Sequence, residues 1–121
     1  MTLKQINSEI QTCKLLLKEE YTIQVAKYLK KYMLKKWLHK IKLEICRLDQ
    51  VKYSKFTKLS VGKTPPYRNK YYGMNIKSET LILYRAEGKL FDTGDREILV
   101  AKHPNLVTLT NAYFKCKNNK K

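Results

Sequence analysis

The first glycine of this chain is Gly62 and the first proline is Pro65. Sixty-one residues without either, rich in Leu, Lys, Ile and Glu, predict helix. Leu3, Ile6, Ile10, Cys13 and Leu17 recur at alternating steps of three and four, which is one apolar helical stripe. Thr2 is placed to cap it, with Gln5 at the capping-box position. A second stripe runs Tyr21, Val25, Tyr28, Tyr32, then Leu34, Leu38, Ile41, Ile45 and Leu48, with a phase shift near 32–34. Glu19 and Glu20 followed by Thr22 and Ile23 place the junction between two helices near 19–22.

Beyond about residue 55 the hydrophobic period changes. Thr80-Leu81-Ile82-Leu83-Tyr84 reads as a strand, Leu90-Phe91 as a short one, Glu97 to Ala101 as a third and Leu106 to Phe114 as a fourth. Glu87-Gly88, Thr93-Gly94-Asp95 and His103-Pro104-Asn105 read as the turns between them. The expectation is a single α+β domain over 1–121. It has two N-terminal helices in 1–50, a basic connector over 51–79, a three- to four-stranded antiparallel meander over 80–115 and a Lys-rich tail, 116–121.

The net charge of +16 comes from 26 Lys and Arg against 10 Asp and Glu. It is segmented. Residues 1–20 are neutral, 21–47 carry +7, Asp49 contributes −1, 50–77 carry +7 with no acid, 78–114 carry −1, and Lys115 to Lys121 add +4. Self-repulsion on this scale calls for a polyanion. Lys27, Lys31 and Lys35 stack four apart on one helical face, Lys36 and Lys40 stack beside them, and Lys30 adds to the same helix. Like charges at that spacing each cost a few tenths of a kcal/mol in an isolated helix. A phosphate backbone relieves that cost by releasing counterions. The plainer reading is a solvated face whose Lys stems cover apolar surface. A basic helix bearing Trp37 and Leu38 also suits anionic lipid, but its apolar stripe is what a core needs, and no membrane association is expected.

The connector interleaves bases with aromatics: Lys63, Tyr67, Arg68, Lys70, Tyr71 and Tyr72. Tyrosines stack on unpaired bases while Arg and Lys hold phosphates, so RNA or single-stranded DNA is expected over duplex DNA. The alternative is a loop pinned to the body by its tyrosines. Only four of the basic residues are Arg, the side chain whose planar fork reads guanine edges, which also favours backbone binding.

Metal-free RNA cleavage needs a base, an acid and cations around the phosphorane. His103, Tyr113, Arg85, Arg96 and Lys102 are the right types. A helical region followed by a meander that ends in Thr110-Asn111-Ala112-Tyr113 resembles the barnase, EndoU and RelE-like ribonuclease superfamily of small toxins. Members of that superfamily tend to be basic, and their last strand often carries a Thr or Ser and a Tyr that act on the RNA phosphate. The resemblance therefore implies roles for Thr110 and Tyr113, to which His103 adds a candidate base, and an acidic protein partner that masks the basic face. It carries over no helical base histidine.

Asp92, Asp95 and Glu97 cluster at a turn, where turn chemistry accounts for them better than a Mg²⁺ site does. Phosphate-binding glycine loops, paired-histidine metal motifs and nucleophile elbows are lacking. Cys13, Cys46 and Cys116 are widely spaced, with no CxxC pair, so neither zinc nor a disulfide framework is expected. No cofactor is expected. A reducing, intracellular compartment is, since no apolar run approaches the ~20 residues of a membrane span. The residue usage suits an AT-rich genome, such as that of a virus or mobile element. Three functions follow: a non-enzymatic nucleic-acid binder, a metal-independent ribonuclease, or an adaptor on an acidic protein surface.

Overall fold

A computed structural model describes residues 2–56, 58–62, 72–77, 80–85 and 100–118, with the backbone alone at 75–77 and 80–85. Helix α1 spans Leu3–Glu19, and helix α2 spans Ile23–Asp49. The break falls at residues 20–22, where Glu20 adopts extended backbone and donates its N–H to Leu16 O. Thr2 and Gln5 form the expected capping box: Gln5 N donates to Thr2 Oγ1 at 3.2 Å and Thr2 N to Gln5 Oε1 at 2.8 Å. Thr22 starts α2 in the same manner, accepting from Val25 N on its hydroxyl at 3.3 Å. At the far end Gln50 has φ 56°, the left-handed conformation that lets Val51 N donate to Cys46 O and close the helix.

α2 is one uninterrupted helix of 27 residues, so the phase shift expected near 32–34 does not break it. Its inner ridge keeps the expected Ile41 and Ile45 and departs from the expected stripe on the N-terminal side of them. Ala26, Leu29, Met33, Trp37, Ile41 and Ile45 follow one another at steps of three or four. Ile41 and Ile45 are fully buried, while Tyr21 and Tyr28, expected to face inward, are 67% and 46% exposed.

The expected α+β fold, two helices followed by a three- to four-stranded antiparallel sheet, does not form. The described chain is mostly helical, and its small sheet opens with a parallel pair. Strand β1 is Leu59–Gly62, β2 is Tyr72–Lys77 and β3 is Thr80–Arg85, in the order β1-β2-β3. β1 runs parallel to β2 with Leu59 opposite Tyr72, and β2 runs antiparallel to β3 with Met74 opposite Leu83. Two of the three strands thus come from the stretch read as connector. Leu90-Phe91 lies outside the described residues, and the end of the strand expected at Glu97–Ala101 is helical, since residues 100–102 form a helical turn.

The largest departure is the last expected strand, which is helix α3, Pro104–Asn118. Proline is favoured at the first helical position, where its missing N–H has no partner to lose and its φ is already helical. Val107 N donates to His103 O at 3.1 Å, which closes the first turn. The β-branched residues do not prevent this, because Thr108 donates its hydroxyl back to Pro104 O at 3.0 Å. Leu106, Val107, Thr110, Tyr113 and Phe114 then fall on one buried helical face.

The chain folds as two compact units, Met1–Ile41 with Leu109–Lys121, and Lys42–Thr108. In the first, Ile6, Ile10 and Cys13 of α1 are buried, as are Ile41, Thr110, Tyr113 and Phe114. In the second, Ile45, Cys46, Tyr72, Met74, Leu106 and Val107 are buried. Phe56 stacks on Tyr72 with ring centroids 4.6 Å apart, and the Tyr72 hydroxyl donates to Asp49 Oδ2 at 2.7 Å.

Candidate nucleic-acid interface

The lysines expected to meet phosphate divide into two sets on α2. Lys27, Lys31 and Lys35 are exposed and succeed one another turn by turn along one face. Lys30, Lys36 and Lys40 are only partly exposed. Lys35 and Lys36 lie about 100° apart round the helix, so the second row does not simply widen the first. No Asp or Glu occurs between Glu20 and Glu44 to relieve either row. Glu44 is itself engaged by Arg47, one turn on.

Trp37 organises the second set. Lys36 and Lys40 each hold Nζ 5.3 Å from its ring centroid, an arrangement worth about 0.5–1 kcal/mol at exposed sites. Lys14 of α1, which the sequence did not single out, belongs to the same electrostatic neighbourhood. Burial, and then the charges of Lys40 and Lys14, lower the Lys36 ammonium below the ordinary lysine value. Two cations of α2 thus flank one aromatic ring, with the charge of Lys14 felt at Lys36.

Tyr28 is the residue that sequence periodicity missed. Periodicity places it in the apolar stripe, but its side chain is exposed beside Lys27 and Lys31. Lys35 Nζ lies 5.5 Å from the ring centroid of Tyr32, one turn further on. An aromatic surface interleaved with cations therefore exists on α2 itself. The signal that would have revealed it is the run Lys27-Tyr28 and Lys31-Tyr32, in which tyrosine and lysine repeat together four residues apart.

Of the connector residues expected at the interface, Lys63, Tyr67, Arg68, Lys70 and Tyr71 lie outside the described residues. Tyr72, considered as a base-stacking residue with them, is buried against Phe56 and is occupied in packing. The turn carrying Asp92, Asp95 and Glu97 also lies outside the described residues.

The candidate catalytic residues change character with the element that carries them. Thr110 and Tyr113 lie on the buried face of α3, at 0% and 5% exposure, instead of along a strand edge. Burial, and then Cys116, raises the Tyr113 phenol above its ordinary value. Its ring packs edge-on against Phe114 at 5.2 Å. His103 is half-buried immediately before α3. Burial, and then Lys102, lower its pKa against an opposing pull from Glu44, so the imidazole is neutral at neutral pH. The strand on which the likeness to the ribonuclease toxins rested is thus a helix.

A pocket of about 440 Å³ opens in the first unit. Leu17 of α1, Leu29, Met33 and Trp37 of α2, and Ala112 of α3 form its apolar wall. Tyr21, Lys30, Lys115 and Cys116 also line it. No helix among the described residues is long and apolar enough to cross a membrane.

No protein-family model, curated protein or solved structure matches this chain.

Proposed function

We propose that this protein binds nucleic acid, RNA or single-stranded DNA in preference to duplex, through phosphate contacts made by the exposed face of α2. The observation that carries the reading is the row Lys27, Lys31 and Lys35, exposed on three successive turns with no acid between Glu20 and Glu44. Such a row repels itself in the free protein and is relieved by a polyanion whose counterions it displaces. Tyr28, exposed beside it, supports the preference for single strands. A base stacked on an aromatic face contributes about 1–3 kcal/mol and needs no particular sequence. Lys36 and Lys40 around Trp37 provide a second place for a phosphate. The predominance of Lys over Arg supports binding of the backbone over reading of base edges.

The reading is tested by titrating a labelled single-stranded oligonucleotide with the full chain at rising salt. Log affinity falls linearly with log salt, at roughly 0.7 per phosphate neutralised. An affinity that does not change with salt refutes it and leaves an acidic protein surface as the partner to seek.

A further inference from the structure

Phosphate binding leaves two neighbouring features of the first unit unused. One is the apolar surface around the break between α1 and α2. Leu15, Leu16, Tyr21 and Ile23 are 56%, 47%, 67% and 68% exposed there. Large apolar side chains gathered on one stretch of surface mark an interaction site, as singly scattered ones do not. The other is the hollow of about 440 Å³. The two lie side by side, since Tyr21 lines the hollow and so does Ala26, three residues beyond Ile23. Ala26 and Ala112 leave the hollow its room, and Met33 adds an unbranched chain that adapts to what it meets.

Charge selects the occupant. Residues 15–26 carry Lys18 against Glu19 and Glu20, net −1, in a chain of net charge +16. Both acids are exposed, and they oppose the approach of anionic lipid or nucleic acid at this end of the hairpin. The rim of the hollow has the opposite sign. Lys115 is exposed there, and among the described residues no Asp or Glu lines the hollow. Lys30 also lines it but already has an interaction partner, so the complementarity lies with Lys115. What fits such a hollow is an apolar knob flanked by acids. The break between α1 and α2 is itself a knob of that kind. A two-fold contact is self-complementary, so a surface that carries both knob and hollow can satisfy a second copy of itself. Elsewhere two chains of this charge repel each other.

We propose that a second copy of this chain docks here, each copy placing Ile23 in the hollow of the other and setting Glu19 and Glu20 against the partner's Lys115. The contact stands whether or not the row of Lys27, Lys31 and Lys35 binds nucleic acid.

Cys116 lines the hollow and is partly exposed, while Cys13 and Cys46 are buried, so thiol alkylation reports on the hollow directly. The full chain, freed of nucleic acid at high salt, is followed by sedimentation equilibrium at rising concentration. Alkylation of each cysteine is read by mass spectrometry in the same samples. The expected result is a reversible monomer–dimer equilibrium in which Cys116 alkylation slows in step with the dimer fraction. Ile23→Glu, at an exposed position, weakens dimerisation by about tenfold or more. Glu20→Lys and Lys115→Glu each weaken it, and the two together recover most of the loss because the positions meet across the contact. Lys4→Met changes nothing. A chain that stays monomeric up to about 1 mM overturns the proposal. If Cys116 in that monomer is instead shielded by one dodecanol per chain, the hollow belongs to a small apolar ligand. A dimer in which Cys116 alkylates at the monomer's rate also overturns it, since its contact then lies elsewhere. The wild-type concentration series decides the matter even if Ile23→Glu misfolds.

Discussion

Replacing Lys27, Lys31 and Lys35 together by Gln weakens oligonucleotide binding while slightly stabilising the fold. The two effects have opposite signs, which is what makes the experiment decisive. The three ammonium groups are exposed and form two like-charge pairs, Lys27 with Lys31 and Lys31 with Lys35. Each such pair costs about 0.2–0.5 kcal/mol, so their removal stabilises the helix by roughly 0.4–1 kcal/mol. Three lost phosphate contacts reduce the slope of log affinity against log salt by about 2 for a single strand. Between about 50 and 200 mM salt, the advantage of wild type over the variant then shrinks roughly 20-fold. Fluorescence anisotropy gives the affinities and urea denaturation gives the stabilities. An unchanged slope refutes the phosphate assignment. A loss of stability large enough to account for the weaker binding refutes the claim that these side chains act by direct contact.

Three further outcomes follow from particular residues. Tyr28→Ala lowers affinity for a single strand by about 1–3 kcal/mol but leaves a duplex of equal length nearly unaffected; equal losses on both would remove Tyr28 as a stacking surface. Lys36→Met makes the free protein more stable at neutral pH, because the folded state holds that ammonium below its ordinary pKa. From the lowered folded value up to about 10.4, the unfolded chain binds more protons, so wild-type stability climbs and the gap to Lys36→Met closes; a gap constant with pH contradicts the stated burial and repulsion. Ile41→Ala, at a fully buried position of α2, costs about 2–5 kcal/mol in urea denaturation, and a cost near zero would show that this position is not core.

What could be read from the sequence was chiefly what is local. The Thr2 and Gln5 cap, the break after Glu19 and the strand at Thr80 each depend on a few neighbouring residues, and the structure has all three. The exposed lysine row was legible because a step of four has one meaning on a helix. The inner ridge of α2 was legible only at Ile41 and Ile45; before them it passes through Ala26, Met33 and Trp37 while tyrosines at helical spacing marked a competing stripe. α3 was misread for a related reason. Val107, Thr108 and Thr110 are strand-favouring, and alternation can be drawn through Leu106, Thr108 and Thr110. Yet Pro104 opens a helix as readily as it makes a turn, and only burial of Leu106, Val107, Thr110, Tyr113 and Phe114 together selects the helical period. With that helix, Thr110 and Tyr113 lie on a buried helical face. The parallel pairing of β1 with β2 was beyond a reading of local periods, since both lie in the stretch read as connector and their register has no signature in either run alone.

The most direct test of the central claim is a lysine acetylation footprint of the full chain, read by mass spectrometry with and without a saturating single-stranded oligonucleotide. The account predicts several-fold protection of Lys27, Lys31 and Lys35, with Lys4 and Lys18 of the near-neutral α1 reacting at unchanged rates. Uniform protection of all lysines, or protection that spares the exposed face of α2, would contradict it.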